Sequence, residues 1–274
     1  MSTETFSADW LSLREPFDAA ARAEAAVRLR LGARLDALRP PAGTPWRVID
    51  LACGTGANQR WLSPHLQGPQ EWLMVDHDDS LLRRVPDPAS GVAILRQRLD
   101  LMASLETLPW HAAHLVTASA LLDLVGTAWL QRLVAACASA RVPLLLALSV
   151  DGRHLWQPRD PLDEEVAALF AGHQRRDKGL GSALGAQAAN TLLPALRKAG
   201  YSVVQARSDW RVNGLRDAAG PYLLKSLIDG MADAAVEQDA GQAAAVRGWQ
   251  ARRRDLATTT RLRVGHVDVL AWPR

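Results

Sequence analysis

Asp50, Gly54, Gly56 and Asp76 stand at spacings that can hold a polar ligand. Asp50 closes a short β-branched run, Val48-Ile49, and is followed by Leu51-Ala52-Cys53-Gly54-Thr55-Gly56-Ala57-Asn58. An apolar run that ends in an acid, then a glycine-rich turn, then a helical stretch turns backbone N–H groups toward a ligand. The helical stretch here is Gln59-Arg60-Trp61-Leu62. Gly54 and Gly56 lack Cβ, so the chain can take positive φ there and approach what it binds. Asp76 ends a second apolar run, Trp72-Leu73-Met74-Val75, where a carboxylate can accept both hydroxyls of a ribose. A pyrophosphate fits poorly, because G-x-G-x-x-G needs a third glycine where Gln59 stands.

The string from Asp50 to Asn58, joined to Val75-Asp76-His77-Asp78, resembles class I S-adenosylmethionine-dependent methyltransferases of the small-molecule type. The match is by motif over residues 46–150 and by topology alone over 200–274. The resemblance implies an α/β fold with a doubly wound, mostly parallel seven-stranded sheet, its last strand antiparallel and helices on both faces. It implies S-adenosylmethionine as cofactor and S-adenosylhomocysteine as product. It places the cofactor against Asp50, Ala52, Cys53, Gly54, Gly56, Asn58, Asp76, His77 and Ser119, with Asp100 bonding the adenine amino group and the Leu101 N–H meeting a ring nitrogen. It also implies that residues 1–40 form a helical lid over the cofactor, and that 151–185 form a hairpin and substrate-lid insertion in a domain spanning 41–274. Arg14, Asp18 and Arg22 share one helical face. An Arg from that face can meet the methionine carboxylate; the competing reading is an ion pair between Asp18 and Arg22.

Methyl transfer from a sulfonium is an in-line displacement in which orientation alone supplies about 7–11 kcal/mol. A base is needed only where the accepting atom must lose a proton. Asp123, just past the fourth strand, and His173, an imidazole of the kind that most often serves as a base, are the two candidates. Arg176 and Lys178 are candidates for an anionic group on the acceptor, and Trp156 and Trp210 for an apolar wall. No metal is expected.

Positioning these residues requires alternating strands and helices. Strands are expected at 46–51, 71–76, 92–99, 115–119, 143–150, 201–207 and 262–272. Helices are expected at 57–66, 80–85, 128–140, 163–170, 186–199, 221–237 and 242–257. Such alternation argues a parallel sheet covered on both faces. Residues 8–39 read as helical, with Pro16 in the first turn of a second helix and Pro40-Pro41 as the stop. Asp78 or Asp79 and Thr127 are candidate helix caps. Asp151-Gly152 reads as a two-residue hairpin returning the fifth strand into Arg153–Trp156.

No apolar run reaches membrane-span length, the N-terminus carries no signal core, and two cysteines make no disulfide framework. A cytoplasmic protein acting on a small-molecule acceptor is expected, with oligomeric state open. The net charge of +3 is mild, and the one basic run, Arg252-Arg253-Arg254, reads as a solvated helix face. Nucleic acid is an unfavoured partner. An RNA or protein methyltransferase is the alternative, but Ser119-Ala120-Leu121-Leu122 replaces the Asn-Pro-Pro-Tyr-type motif that holds a planar nitrogen. Gln59 disfavours an NAD-dependent oxidoreductase. A non-catalytic protein that binds S-adenosylmethionine stays open.

Overall fold

Strands buried on both faces of a parallel sheet are apolar almost throughout, and the central strands here follow that rule. The computed structural model describes residues 6–176 and 182–274. Its strands are β1 (Trp46–Leu51), β2 (Gln70–Asp76), β3 (Val92–Arg98), β4 (Leu115–Ser119), β5 (Leu144–Gln157), β6 (Tyr201–Arg207), β7 (Trp210–Asn213) and β8 (Arg261–Pro273). They form one sheet in the order β3-β2-β1-β4-β5-β8-β6, with β7 also paired to β8. β1 to β5 run parallel, and β8 is antiparallel to β5, β6 and β7. The strand order reverses between β1 and β4, which opens a crevice at the carboxyl edge.

All seven expected strands are present, and β7 is an eighth. Its four residues alternate too briefly to stand out, yet Trp210 and Val212 turn inward. Three apolar cores result. On one face of the sheet, α6 (Thr127–Ala140) and α8 (Ala188–Lys198) cover Ile49, Val116 and Leu146. On the other, α2 (Leu31–Ala37) and α3 (Ala57–Leu62) cover Trp46, Val48 and Trp72. The third core gathers α7 (Asp163–Gln174), α9 (Gly220–Gln238) and α10 (Ala243–Asp255) around Trp156, Trp210 and Trp249. The long helix α1 (Ala8–Leu29) joins the last two, with Phe17 and Ala21 in the third core and Ala25 and Leu29 in the second.

Four local expectations need correction. Asp151-Gly152 forms no hairpin. β5 runs on through it to Gln157 along β8, because β8 is long enough to pair with both halves, and the extra residues form a bulge between Val150 and His154. Asp151 Oδ1 accepts from Arg153 N at 3.1 Å, and Gly265 opposite leaves room for both side chains. Pro16 opens no new helix. Ser7 caps α1 nine residues earlier by accepting from Trp10 N, and α1 continues past Pro16 to Leu29. Thr127 is the first residue of α6, and the cap position is Gly126. Helix α7 extends to Gln174, so His173 is helical. Asp78 does cap the short α4 (Asp79–Leu82), accepting from Ser80 N at 2.8 Å.

The basic run on α10 is a solvated face at Arg252 and Arg254 but not at Arg253, and each of its arginines meets an acid from another helix or loop. Arg252 reaches Asp160 at 2.7 Å, Arg253 reaches Asp163 at 3.0 Å, and Arg254 pairs with Asp229. Arg253 is buried, lies over the Trp156 ring and also donates to Pro158 O. Among the described residues no helix is long and apolar enough to cross a membrane. Breaking a buried pair by removing one partner leaves an uncompensated charge, so Arg253→Ala should lower unfolding free energy by about 3–5 kcal/mol. Arg252→Ala and Arg254→Ala, whose guanidinium ends are exposed, should leave the midpoint almost unmoved. Urea unfolding of the three variants separates a structural anchor from a charged surface.

Candidate functional site

The crevice between β1 and β4 holds a cavity of about 650 Å³. Its floor is the glycine turn. Ala52, Gly54 and Gly56 there have φ of 50°, 53° and 83°. Gly56 N donates to Cys53 O at 2.9 Å, and Cys53 N donates to Val75 O at 3.0 Å, which fastens the turn to β2. A Cβ on Gly54 would stand 3.1 Å from Leu11 Cδ1, so α1 lies directly over the turn. Arg60 locks this contact. It donates to both oxygens of Glu15 on α1, at 2.8 and 2.6 Å, and to Thr55 O at 2.6 Å.

Asp76 ends β2, and its buried carboxylate is fixed by two backbone donors. Oδ2 accepts from Gly54 N at 2.8 Å and Oδ1 from Asp78 N at 2.9 Å. Each oxygen keeps further acceptor capacity in the cavity. His77 Nδ1 stands 3.4 Å from Oδ1. At the far end, Asp100 caps the short α5 (Leu101–Ser104) by accepting from Met102 N at 2.8 Å. Trp129 of α6 donates Nε1 to Leu101 O at 2.9 Å and so holds this end of the cavity. Across the crevice, Ser119 ends β4, and Ala120 takes φ 53° while its N–H reaches Ala147 O at 3.0 Å. Two non-glycine residues in the left-handed region, Ala52 and Ala120, therefore flank one crevice, where such strain tends to collect.

Of the residues expected to meet a cofactor, Ala52, Cys53, Gly54, Asn58, Asp76, His77, Asp100, Leu101 and Ser119 line the cavity. Gly56 and Asp50 do not. Gly56 occupies the cap position before α3, facing Val85 and Met74. Asp50 sits beneath the floor, 0% exposed, with Oδ1 accepting from Asn58 Nδ2 at 2.6 Å. Burial pushes the Asp50 carboxyl up to about 7, against the Asn58 hydrogen bond and the Arg22 charge.

The expected acceptor residues are spread more widely. Asp123 lies in the loop after β4; its neighbours Leu121 and Leu124 line the cavity, Asp123 is not among the lining residues, and its carbonyl accepts from Gly185 N at 3.0 Å. His173 and Arg176 are elsewhere. Both reach Glu237 on α9, at 3.2 and 3.3 Å, and Arg176 also donates to Glu237 O. They fasten the end of α7 to α9, and neither lines the cavity. Trp156 packs edge-on to Trp249 in the third core. Trp210 stands behind the cavity, donating Nε1 to Asp18 Oδ1 at 2.8 Å. Lys178 lies outside the described residues.

Asp18 pairs with Arg14, at 2.9 Å, and not with Arg22. Arg22 is engaged by Asn58 Oδ1 at 2.7 Å and by the Trp61 ring. Arg14, Asp18 and Leu11 form the α1 wall, and Trp129 and Arg98 line the cavity as well. The four-residue spacing of Arg14 and Asp18 was a visible signal. Leu11, Trp129 and Arg98 carried none, because only the folded chain brings them to the crevice.

The strand order, the antiparallel β8 and the crevice at the switch point define a Rossmann-like, doubly wound α/β protein. No family model and no curated protein matches the chain. Similar solved structures include the YcgJ protein from Bacillus subtilis, at 13% identity over 89% of this chain and 97% of that one, TM-score 0.49. A second is an S-adenosylmethionine-dependent methyltransferase from Mesorhizobium loti, at 20% identity over 87% and 96%, TM-score 0.40. A third is a methyltransferase from Geobacter sulfurreducens in complex with S-adenosylhomocysteine, at 17% identity over 90% of each chain, TM-score 0.40.

The state of Asp50 has a measurable effect on stability. The folded protein keeps its proton up to about pH 7, whereas an unfolded carboxylate loses it near pH ~4. Between those values the folded state binds more protons, so this contribution to stability is lost as pH rises through the window. Urea unfolding at about pH 5 and about pH 8 should show the Asp50→Asn variant gaining on the parent at the higher pH. An equal difference at both would mean that Asp50 is ionised throughout.

Proposed function

We propose that this protein transfers a methyl group from S-adenosylmethionine to an O, N, S or C nucleophile of a small molecule. One observation carries the reading. Asp76 is a buried carboxylate held by two backbone donors at the edge of a cavity whose floor, Gly54, has no Cβ, and its spare acceptor capacity matches two ribose hydroxyls. Asp100 and the Leu101 N–H suit the adenine edge. Ala52, Cys53, Gly54 and Ser119 suit the methionine portion, with Arg14 for its carboxylate.

S-adenosylmethionine supplies a methyl group on a positively charged sulfur. The tasks left to the protein are orientation, exclusion of water and, for some acceptors, removal of a proton. Orientation falls to the glycine turn and Asp76, and is worth about 7–11 kcal/mol. Exclusion of water falls to α1 through Leu11, held down by the Glu15–Arg60 pair. Where the acceptor must lose a proton, we assign the base to the Asp123 carboxylate, beside cavity residues Leu121 and Leu124.

Charge-assisted hydrogen bonds contribute about 1.5–3 kcal/mol each. Asp76→Ala should therefore weaken S-adenosylmethionine binding at least ~10-fold by calorimetry, and an unchanged dissociation constant overturns the assignment. Once an acceptor is in hand, Asp123→Asn should lower turnover by about 10²–10⁴-fold while cofactor affinity stays the same. Full turnover in that variant removes Asp123 from the role.

A further inference from the structure

Beneath the cavity floor, polar side chains from several elements meet without solvent. Arg22 of α1, Asp50 of β1 and Asp268 of β8 are 2%, 0% and 2% exposed. Arg22 Nη1 donates to Asn58 Oδ1 at 2.7 Å, Arg22 Nε is 3.9 Å from Asp268 Oδ2, and the guanidinium lies 3.9 Å from the Trp61 ring centroid. Arg22 Nε and Nη2, Asp50 Oδ2 and the Ser149 hydroxyl are buried with no hydrogen-bond partner among the described residues. Asn58 joins this cluster to the cavity, since it lines the cavity and donates to Asp50 at 2.6 Å.

The charges around Arg22 do not balance. Asp50 and Asp268 face it from β1 and β8, and Asp18 faces it from its own helix, already paired with Arg14. Asp76 of β2 adds a negative charge that bears on Asp50. Asn58 of α3 and Thr117 of β4, which also touch Asp50 or its amide partner, do not titrate in this range. Burial pushes the Cys53 thiol up, so it stays neutral in the turn. Two buried carboxylates against one guanidinium resist double ionisation. Burial raises both, Asp268 in spite of Arg22 and Asp50 to about 7.

We propose that Asp50 and Asp268 hold one proton between them around Arg22 in the free protein, and that a positively charged sulfur in the cavity expels it. The cluster thereby selects S-adenosylmethionine over S-adenosylhomocysteine. The inference rests on the methyl-transfer reading. In the linked step one carboxylic O–H bond breaks, the proton passes to the buffer, and the carboxylate left behind balances the sulfonium. The product has the same adenosine and amino-acid groups but no charge on sulfur, so its binding leaves the proton in place. Asp50 is a positioning residue here, acting through Asn58.

The sign follows from linkage. Below about pH 7 the proton must be lost for the cation to bind, so affinity for S-adenosylmethionine rises by up to about tenfold per pH unit and levels off above. The test is calorimetry on the whole chain with each ligand between about pH 6 and about pH 8, in two buffers of different ionisation enthalpy. S-adenosylmethionine should release close to one proton at the lower pH and bind about tenfold more weakly there than at the upper, while S-adenosylhomocysteine does neither. Asp50→Asn and Asp268→Asn should each flatten the S-adenosylmethionine profile. Should Asp50→Asn fail to fold, Asp268→Asn and the buffer comparison on the parent protein still decide. Equal proton release and equal pH slopes for the two ligands overturn the proposal, as does a slope that survives in the variants. Binding of neither ligand at any pH removes the methyl-transfer reading itself.

Discussion

A guanidinium without solvent is tolerated only where opposing groups surround it, and Arg22 makes that demand at the centre of this molecule. Its partners lie on α3 and β8, with the Trp61 ring closing one side. Meeting the demand fixes α1 in depth and rotation against the sheet. The first turns of the same helix then fall over the glycine turn, where Leu11 and Glu15 make their contacts. The roof of the cavity is thus set by an interior charge two to three turns further along the helix.

The carboxyl edge shows the complementary constraint from the backbone side. Ala52 and Ala120 take positive φ just past the ends of β1 and β4, and Leu148 does so within β5. Their neighbours over-determine them. Ala120 N is held by Ala147 O and Leu148 N by Asp268 Oδ1 at 2.8 Å. The same aspartate that faces Arg22 therefore also holds Leu148 at the register shift between Leu146 and Ser149 in β5. Charge and backbone geometry are coupled at one point, and packing alone would not produce that arrangement.

What could be read from the chain in advance was what depends on neighbours in sequence. The glycine turn, the acids at the ends of β2 and β3, and the strand–helix alternation are local patterns, and the structure contains them. Local signals failed where a distant partner outbid them. Asp151-Gly152 is a good hairpin dipeptide, but β8, over a hundred residues on, offered a longer ladder and made it a bulge. Asp18 had two arginines at equal spacing, and Asn58 took one of them. His173 and Arg176 resembled loop chemistry until Glu237 of α9 was seen to hold both. Leu11 and Trp129 reach the cavity only through tertiary packing, which no periodicity in their own helices reports.

The position of β8 bears on how this chain is made. β8 is the common partner of β5, β6 and β7. During synthesis those three strands emerge first and have only β4, beside β5, to pair with. Their remaining edges stay open until residues 261–273 leave the ribosome, and unpaired strand edges invite association with other chains. β8 then closes three ladders at once, at sequence separations that make the search slow. The N-terminal half, by contrast, can assemble β1 to β4 as it appears. The nascent protein therefore spends its most aggregation-prone interval waiting for a single thirteen-residue strand, and holdase chaperones would have their largest effect on yield in that interval.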